Sequence, residues 1–265
     1  MQKLFASDYD GTLHIWDRPG PMVSDADTEA ILAFQAAGGL FGVCTGRPLF
    51  GLTHQIDGHL GFDFDFYIAQ TGAKVYDRDR NLIHSADVPR EVVHELYHRY
   101  AHRARPSFAG IKGLVIADGD YWAIGEGMDL SGLGEWAVGL RVARTLDEVA
   151  GTVSGFAMET VTTEEAAEMV EEINAEYGDV ALAFQNLDSF DVFAAGATKG
   201  AGLRFAADFF GATLTAGIGD SFNDLPLIEA ADVGYSFNAC VPEMQAAADV
   251  LVDSAAEAIA DFIRR

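Results

Sequence analysis

The stretch Asp8-Tyr9-Asp10-Gly11-Thr12 places the tightest constraint on what this chain can become. It directly follows Lys3-Leu4-Phe5-Ala6-Ser7, an apolar run of strand length. Two carboxylates at the end of a buried strand repel each other and lose hydration. The fold must therefore put positive charge between them. A divalent metal meets that need. Hard oxygen ligands suit Mg2+, which takes few protein ligands and keeps positions open for water and phosphate. Gly11 lets the chain turn sharply, and Thr12 can hydrogen-bond the turn. An Asp-Gly pair alone reads as a solvated turn, and its place behind an apolar strand is what argues otherwise.

The following residues repeat the strand pattern with helices between. Ser24 or Asp25 caps a helix to about Ala37, which stops at Gly38-Gly39. Leu40 to Cys44 reads as a second buried strand, ending in Thr45-Gly46-Arg47-Pro48 before another helix. This alternation predicts a parallel α/β sheet, whose ligands bind at the carboxyl ends of the strands. Asp8, Asp10 and Thr45 fall on that edge. Phe64 to Ala69 reads as a third strand leading into Gln70-Thr71-Gly72-Ala73, and Lys74 to Tyr76 with Leu82 to His84 reads as a hairpin.

From Val88 the pattern changes. A His- and Arg-bearing helix is expected over Val88 to Arg105, with strands near Gly113–Ala117 and Tyr121–Ile124. A helix near Leu130–Leu140, a strand near Ser154–Glu159, a helix capped by Thr163 and running to Tyr177, and a strand at Val180–Phe184 follow. We read residues 86–188 as an inserted α/β domain between core segments 1–85 and 189–265. In the second core segment Phe190 to Ala194 reads as a strand, and Thr198-Lys199-Gly200 opens a helix to Phe210. The strand Thr213 to Ile218 then ends in Gly219-Asp220-Ser221-Phe222-Asn223-Asp224. A short helix, strands at Val233–Tyr235 and near Val250, and a terminal helix close the chain. Gly217-x-Gly219 lacks a third glycine and carries an acid where pyrophosphate would sit, which argues against a dinucleotide site.

Composition enters through charge. With 41 acidic and 17 basic residues the chain carries a net charge of −24. Such a surface disfavours nucleic acid and anionic membranes. It also repels phosphate esters at long range, so a phosphate site needs local cations. No run of about 18 apolar residues suggests a membrane span. The expectation is a cytoplasmic protein, and the sequence leaves its oligomeric state open. Cys44 and Cys240 are too few for a disulfide framework and read as buried thiols.

Asp8-x-Asp10-Gly11-Thr12, Thr45-Gly46-Arg47, Thr198-Lys199-Gly200 and Gly219-Asp220-Ser221-x-Asn223-Asp224 occur in this order. Together they resemble the four motifs of the haloacid dehalogenase-like (HAD) phosphatases. The insertion between the second and third motifs, and the form of the fourth, point to the Cof-type branch. The resemblance implies a Rossmann-like parallel-sheet core with an inserted α/β cap domain. It covers nearly the whole core but only position and mixed α/β character in the insertion. Two departures stand out: Thr71-Gly72-Ala73 occupies the usual Asn-Gly-Ala, and Ser236-Phe237-Asn238-Ala239 lacks the usual Met-Gly.

The resemblance implies a Mg2+-dependent phosphatase of small phosphorylated metabolites, with sugar phosphates as the substrate class. Asp8 would attack phosphorus and form an aspartyl phosphate, and Asp10 would act as acid and then base. Mg2+ would be held by the Asp8 carboxylate, the Asp10 carbonyl and Asp220. Thr45, Gly46, Lys199 and Asn223 would bind phosphate, and Asp224 and Ser221 would orient the metal shell. Arg47 and Thr71 are candidate substrate contacts. Alternative readings are a phosphomutase or phosphotransferase using the same intermediate, or a non-catalytic regulatory protein on this fold. Taken singly, Thr45 could cap a helix, Lys199 could be a solvated helix-start lysine, and Asp224 could serve a helix dipole. In the insertion, His94, His98, His102, Arg103, Arg105 and Trp122 are either specificity residues or a wet helical face with a packed aromatic.

Overall fold

The structure, a computed structural model, describes residues 1–16, 20–103, 110–118, 120–132, 140–186 and 188–265. The chain divides into two compact units, Met1–Ser85 with Ala197–Arg265, and Ala86–Gly196.

The first unit is built on one sheet. Its strands are β1 (Lys3–Ser7), β2 (Leu40–Cys44), β3 (Phe66–Ala69), β4 (Lys74–Asp77), β5 (Leu82–Ser85), β12 (Leu214–Ile218), β13 (Val233–Phe237) and β14 (Val250–Val252). They lie in the order β14-β13-β12-β1-β2-β3-β4-β5 among the described residues. The six from β14 to β3 run parallel, and the β4–β5 hairpin adds antiparallel strands at one edge. Side chains alternate across the sheet, which explains why these strands read as continuous apolar runs. Phe5, Phe41, Val43 and Tyr67 enter the core on one face, where Ile31 and Phe34 of α1 (Asp25–Ala36) and Ile259 and Phe262 of α8 (Ala255–Arg264) meet them. Leu4, Ala6, Cys44, Phe66 and Ile68 enter the other, with Leu203 and Ala206 of α5 (Lys199–Phe210) and Leu227 of α6 (Leu225–Ala230). Each fully buried Phe or Leu contributes roughly 1.5–3 kcal/mol. Ser24 caps α1 by accepting from Asp27 N at 3.1 Å. The helices α2 (Leu49–Ile56) and α7 (Pro242–Ala247) complete the unit. The sequence reading did not foresee α7, which is six residues long and buries only Met244.

The second unit holds β6 (Gly113–Ala117), β7 (Asp120–Ile124), β8 (Arg141–Ala143), β9 (Val153–Glu159), β10 (Ala181–Asn186) and β11 (Ser189–Ala194), in the order β10-β11-β9-β6-β7-β8. All neighbours are antiparallel except β7 and β8. Its helices are α3 (Arg90–Tyr100) and α4 (Thr163–Tyr177). Phe190 packs edge-to-face against Tyr100 and Phe156, with ring centroids 6.0 and 5.9 Å apart.

Here the structure corrects the expected second boundary at 188. The strand assigned to the core, Phe190 to Ala194, pairs with β9 and β10 in the second sheet, and the division falls at Gly196. The cap of α4 is Thr162, whose hydroxyl accepts from Glu165 N at 3.2 Å, and Thr163 is the first helical residue. The strand β8 was not foreseen, being three residues long and mostly exposed. Most of the helix expected near Leu130–Leu140, and Arg105, lie outside the described residues. No helix among those residues is long and apolar enough to cross a membrane.

Candidate active site

The carboxyl ends of β1, β2 and β12 lie side by side, and the four sequence segments converge there. Asp8 begins immediately after β1, and its N–H donates to the last carbonyl of β12, Ile218 O, at 3.0 Å. Its side chain is buried. Lys199, the first residue of α5, is also buried, and its Nζ lies 2.6 Å from Asp8 Oδ1 and 2.5 Å from Asp224 Oδ1. Thr198 starts that helix by accepting from Ala201 N at 3.1 Å, which fixes where the lysine departs. The solvated-lysine reading of Lys199 therefore fails.

Asp224 is held on all sides. Its Oδ2 accepts from Asp220 N at 3.1 Å, Ser221 N at 3.0 Å and Ser221 Oγ at 3.1 Å. Asp220 is oriented by Thr12, whose hydroxyl donates to Oδ1 at 2.7 Å. Gly11 adopts φ +91°, and a Cβ there would come within 2.5 Å of Asp220 Oδ2. Only glycine fits both the turn and that close approach. Asn223 Oδ1 lies 3.5 Å from Lys199 Nζ and accepts from Ser221 Oγ at 2.8 Å.

Electrostatics follow from this packing. Burial raises the Asp8 carboxyl; Lys199 opposes the rise, and Asp224 and Asp220 add to it. Burial alone would lower the Lys199 ammonium, but Asp8 and Asp224 outweigh it and hold it above its ordinary range. Burial also raises Asp220, against the hydrogen bond from Thr12. One positive charge thus serves a cluster whose acid oxygens from Asp8, Asp220 and Asp224 lie within 4.8 Å of one another. Asp8 Oδ2 is buried and without a partner among the described residues. Both Asp224 oxygens are occupied, which leaves Asp8 Oδ2 as the buried oxygen of the cluster with no hydrogen bond among the described residues. A hard divalent cation fits this donor set.

The second segment sits on the neighbouring strand. Thr45 is buried, and its N–H is engaged by Ile68 O at 2.8 Å, so its hydroxyl is the donor that remains. Thr45 does not cap α2, whose N-cap is Pro48; its Oγ1 instead accepts from Arg47 N at 3.1 Å. Arg47 bonds back to the first segment. Its Nε and Nη2 each donate to Asp10 at 2.7 Å. Gln70 N and Thr71 N donate to Arg47 O and Thr45 O at 2.9 and 3.1 Å, tying the next loop to this one. Gln70 and Thr71 take φ of +53° and +56°, and Gly72 takes +97° with Thr198 O only 2.0 Å from where a Cβ would sit. Thr71 Oγ1 lies 3.6 Å from the Cβ position of Gly46, so it is near the Thr45 loop. Asn238 has a structural place, its amide donating to Asp253 at 2.8 Å.

Sequence reasoning missed Gln55, Thr12 as the holder of Asp220, and the buried Gln70 side chain, both of whose amide atoms lack partners among the described residues. Only Thr12 carried a signal, through its place in the first motif. In the second unit several basic side chains lie against local acids. Arg103 lies 3.4 Å from Glu168, His94 lies 3.4 Å from Asp147, and Arg141 bonds Asp120 at 2.7 Å while lying over Trp122.

A parallel α/β sheet thus carries buried aspartates and a buried lysine at its carboxyl edge, in a chain with an inserted α/β unit. The chain belongs to the haloacid dehalogenase-like hydrolase family, whose model matches residues 5–263. It is similar in structure to a haloacid dehalogenase-like hydrolase from Bacteroides thetaiotaomicron, with a TM-score of 0.78 at 20% identity over 99% of this chain and 100% of that one. A haloacid dehalogenase-like hydrolase from B. subtilis gives 0.77 at 20% identity over 98% of each chain. The HAD subclass IIB sugar phosphatase BT4131 gives 0.74 at 20% identity, also over 98% of each. No curated protein matches the chain in sequence.

Proposed function

We propose that this protein is a Mg2+-dependent phosphatase of small phosphorylated metabolites that works through an aspartyl phosphate on Asp8. One observation carries the reading: Asp8 is buried against Lys199, its Oδ2 has no partner among the described residues, and it shares a cluster of acid oxygens within 4.8 Å of one another with Asp220 and Asp224. A desolvated carboxylate beside a fixed ammonium is costly to build for stability alone. The Asp8 and Asp220 carboxylates and the Asp10 carbonyl would hold Mg2+. When bound, the ion offsets charge between nucleophile and phosphate and polarises the phosphoryl oxygens. Asp8 attacks phosphorus through a carboxylate oxygen. Asp10 hands a proton to the leaving oxygen and later takes one from the attacking water. Lys199 and the Thr45 hydroxyl stabilise charge on the phosphoryl group. Asp224 and Ser221 orient Lys199 and the Asp220 loop. Sugar phosphates are the substrate class we favour, supported by likeness to a sugar phosphatase.

Trapping phosphoenzyme tests this. Asp8→Asn should abolish turnover and leave no labelled protein, because an amide is too weak a nucleophile. Asp10→Asn should slow turnover by roughly 10²–10⁴-fold and accumulate label from an activated ester. Label on the Asp8→Asn protein, with Asp10→Asn behaving as wild type, would reverse the two roles.

A further inference from the structure

We infer that Arg47 is the positioning residue of Asp10, and that it acts on the reaction through that carboxylate and not by binding phosphate. This rests on the phosphatase reading above. One edge of the guanidinium is spent entirely on Asp10, with Nε on Oδ2 and Nη2 on Oδ1, both at 2.7 Å. Its remaining nitrogen, Nη1, donates to Gln55 Oε1 of α2 at 2.7 Å. Aromatic rings flank the group, Tyr9 at 5.9 Å and Trp16 at 5.5 Å from the guanidinium carbon. Tyr9 in turn stacks on His14, and His14 meets Trp16 edge-on. The backbone of Arg47 is fixed as well, its N–H on Thr45 Oγ1 and its carbonyl accepting from Gln70.

Asp10 has no comparable support of its own. It is half-buried, and Arg47 supplies the hydrogen bonds its carboxylate accepts among the described residues. A short carboxylate beyond a strand end would otherwise turn freely about its side-chain bonds. A planar fork gripping both oxygens fixes orientation as well as position, which a single ammonium cannot do, and handing a proton to the leaving oxygen requires one of the two bonds to open. Catalysis by a positioned group falls by about 10²-fold for a misplacement of about 1 Å.

A double-mutant cycle on the full chain with Mg2+ tests the assignment, using phenyl phosphate and p-nitrophenyl phosphate as probes. Arg47→Gln should lower kcat on phenyl phosphate by about 10²-fold and change KM by less than about 3-fold. The loss on p-nitrophenyl phosphate should be smaller, because that group leaves without a proton. In an Asp10→Asn background the same change should cost nothing further. Arg47→Lys should recover only part of the loss. A raised KM with kcat kept, or a further loss in the Asp10→Asn background, overturns the assignment. Should Arg47→Gln fail to fold by circular dichroism, Gln55→Ala takes its place. It frees one end of the guanidinium, and its smaller loss should vanish in the Asp10→Asn background; an additive loss overturns the assignment equally. Wild-type protein inert toward both esters overturns the phosphatase reading and this inference with it, whereas active wild type with additive losses overturns the inference alone.

Discussion

Replacing Lys199 with Met would expose how the cluster at the sheet edge is balanced. The ammonium lies 2.6 Å from Asp8 and 2.5 Å from Asp224, and all three side chains are buried. Removing one partner of a buried ion pair costs about 3–5 kcal/mol, because the remaining charge is left without compensation. For a unit of this size that corresponds to a fall in Tm of roughly 6–20 °C. The deficit should depend on pH, and its direction follows from Asp8. Burial already raises the Asp8 carboxyl, and Lys199 is what opposes that rise. In the variant the folded-state value climbs further above the unfolded value of about 4. A carboxyl raised on folding favours the folded state fully below its unfolded value, and that contribution is lost as pH rises through the folded value. The variant should therefore trail wild type by a roughly constant margin up to about pH 8, where burial has already pushed the wild-type Asp8 carboxyl, and fall further behind above it. Calorimetry at several pH values in EDTA reads this directly, because the two units can unfold as separate transitions. Adding Mg2+ at pH 8 should recover part of the loss by supplying positive charge to Asp8 and Asp220. A deficit of equal size at every pH would show that lost packing, and not uncompensated charge, governs the variant.

Two further substitutions probe the surroundings of the site and the second unit. Thr71 is a β-branched residue at φ +56°, and left-handed backbone costs an L-residue roughly 1–2 kcal/mol. Thr71→Asn should gain about 0.5–1 kcal/mol in urea unfolding, since Asn tolerates that region better; a loss would mean that the hydroxyl does more than the strain costs. On β11, burial pushes the Asp191 carboxyl up to about 6. Its contribution to stability is then present below about pH 4 and lost as pH rises through about 6. Asp191→Asn should flatten that decline and stabilise the unit 86–196 by about 1–2 kcal/mol at pH 8, the full shift being discounted for partial exposure; an unchanged pH profile of its unfolding would refute this.

The core was largely legible because its physics is local. Lys3–Ser7 and Leu40–Cys44 are apolar on both faces, so they announce buried parallel strands, and they form as read. Ser24 and Thr198 each mark a helix start by the hydroxyl that accepts from the backbone. What failed was pairing. Phe190 to Ala194 is apolar whether it joins one sheet or the other, and periodicity names a buried face without naming the neighbour. The contact between Arg47 and Asp10 was within reach by a different route. Two parallel strands joined by one helix pair side by side, as β1 and β2 do through Ser7 and Val43. Residues just beyond their carboxyl ends must then be neighbours. Asp10 stands three residues past Ser7, and Arg47 three past Cys44. An acid and an arginine so placed, at the edge of a protein with a net charge of −24, are the natural partners of each other before either meets a ligand.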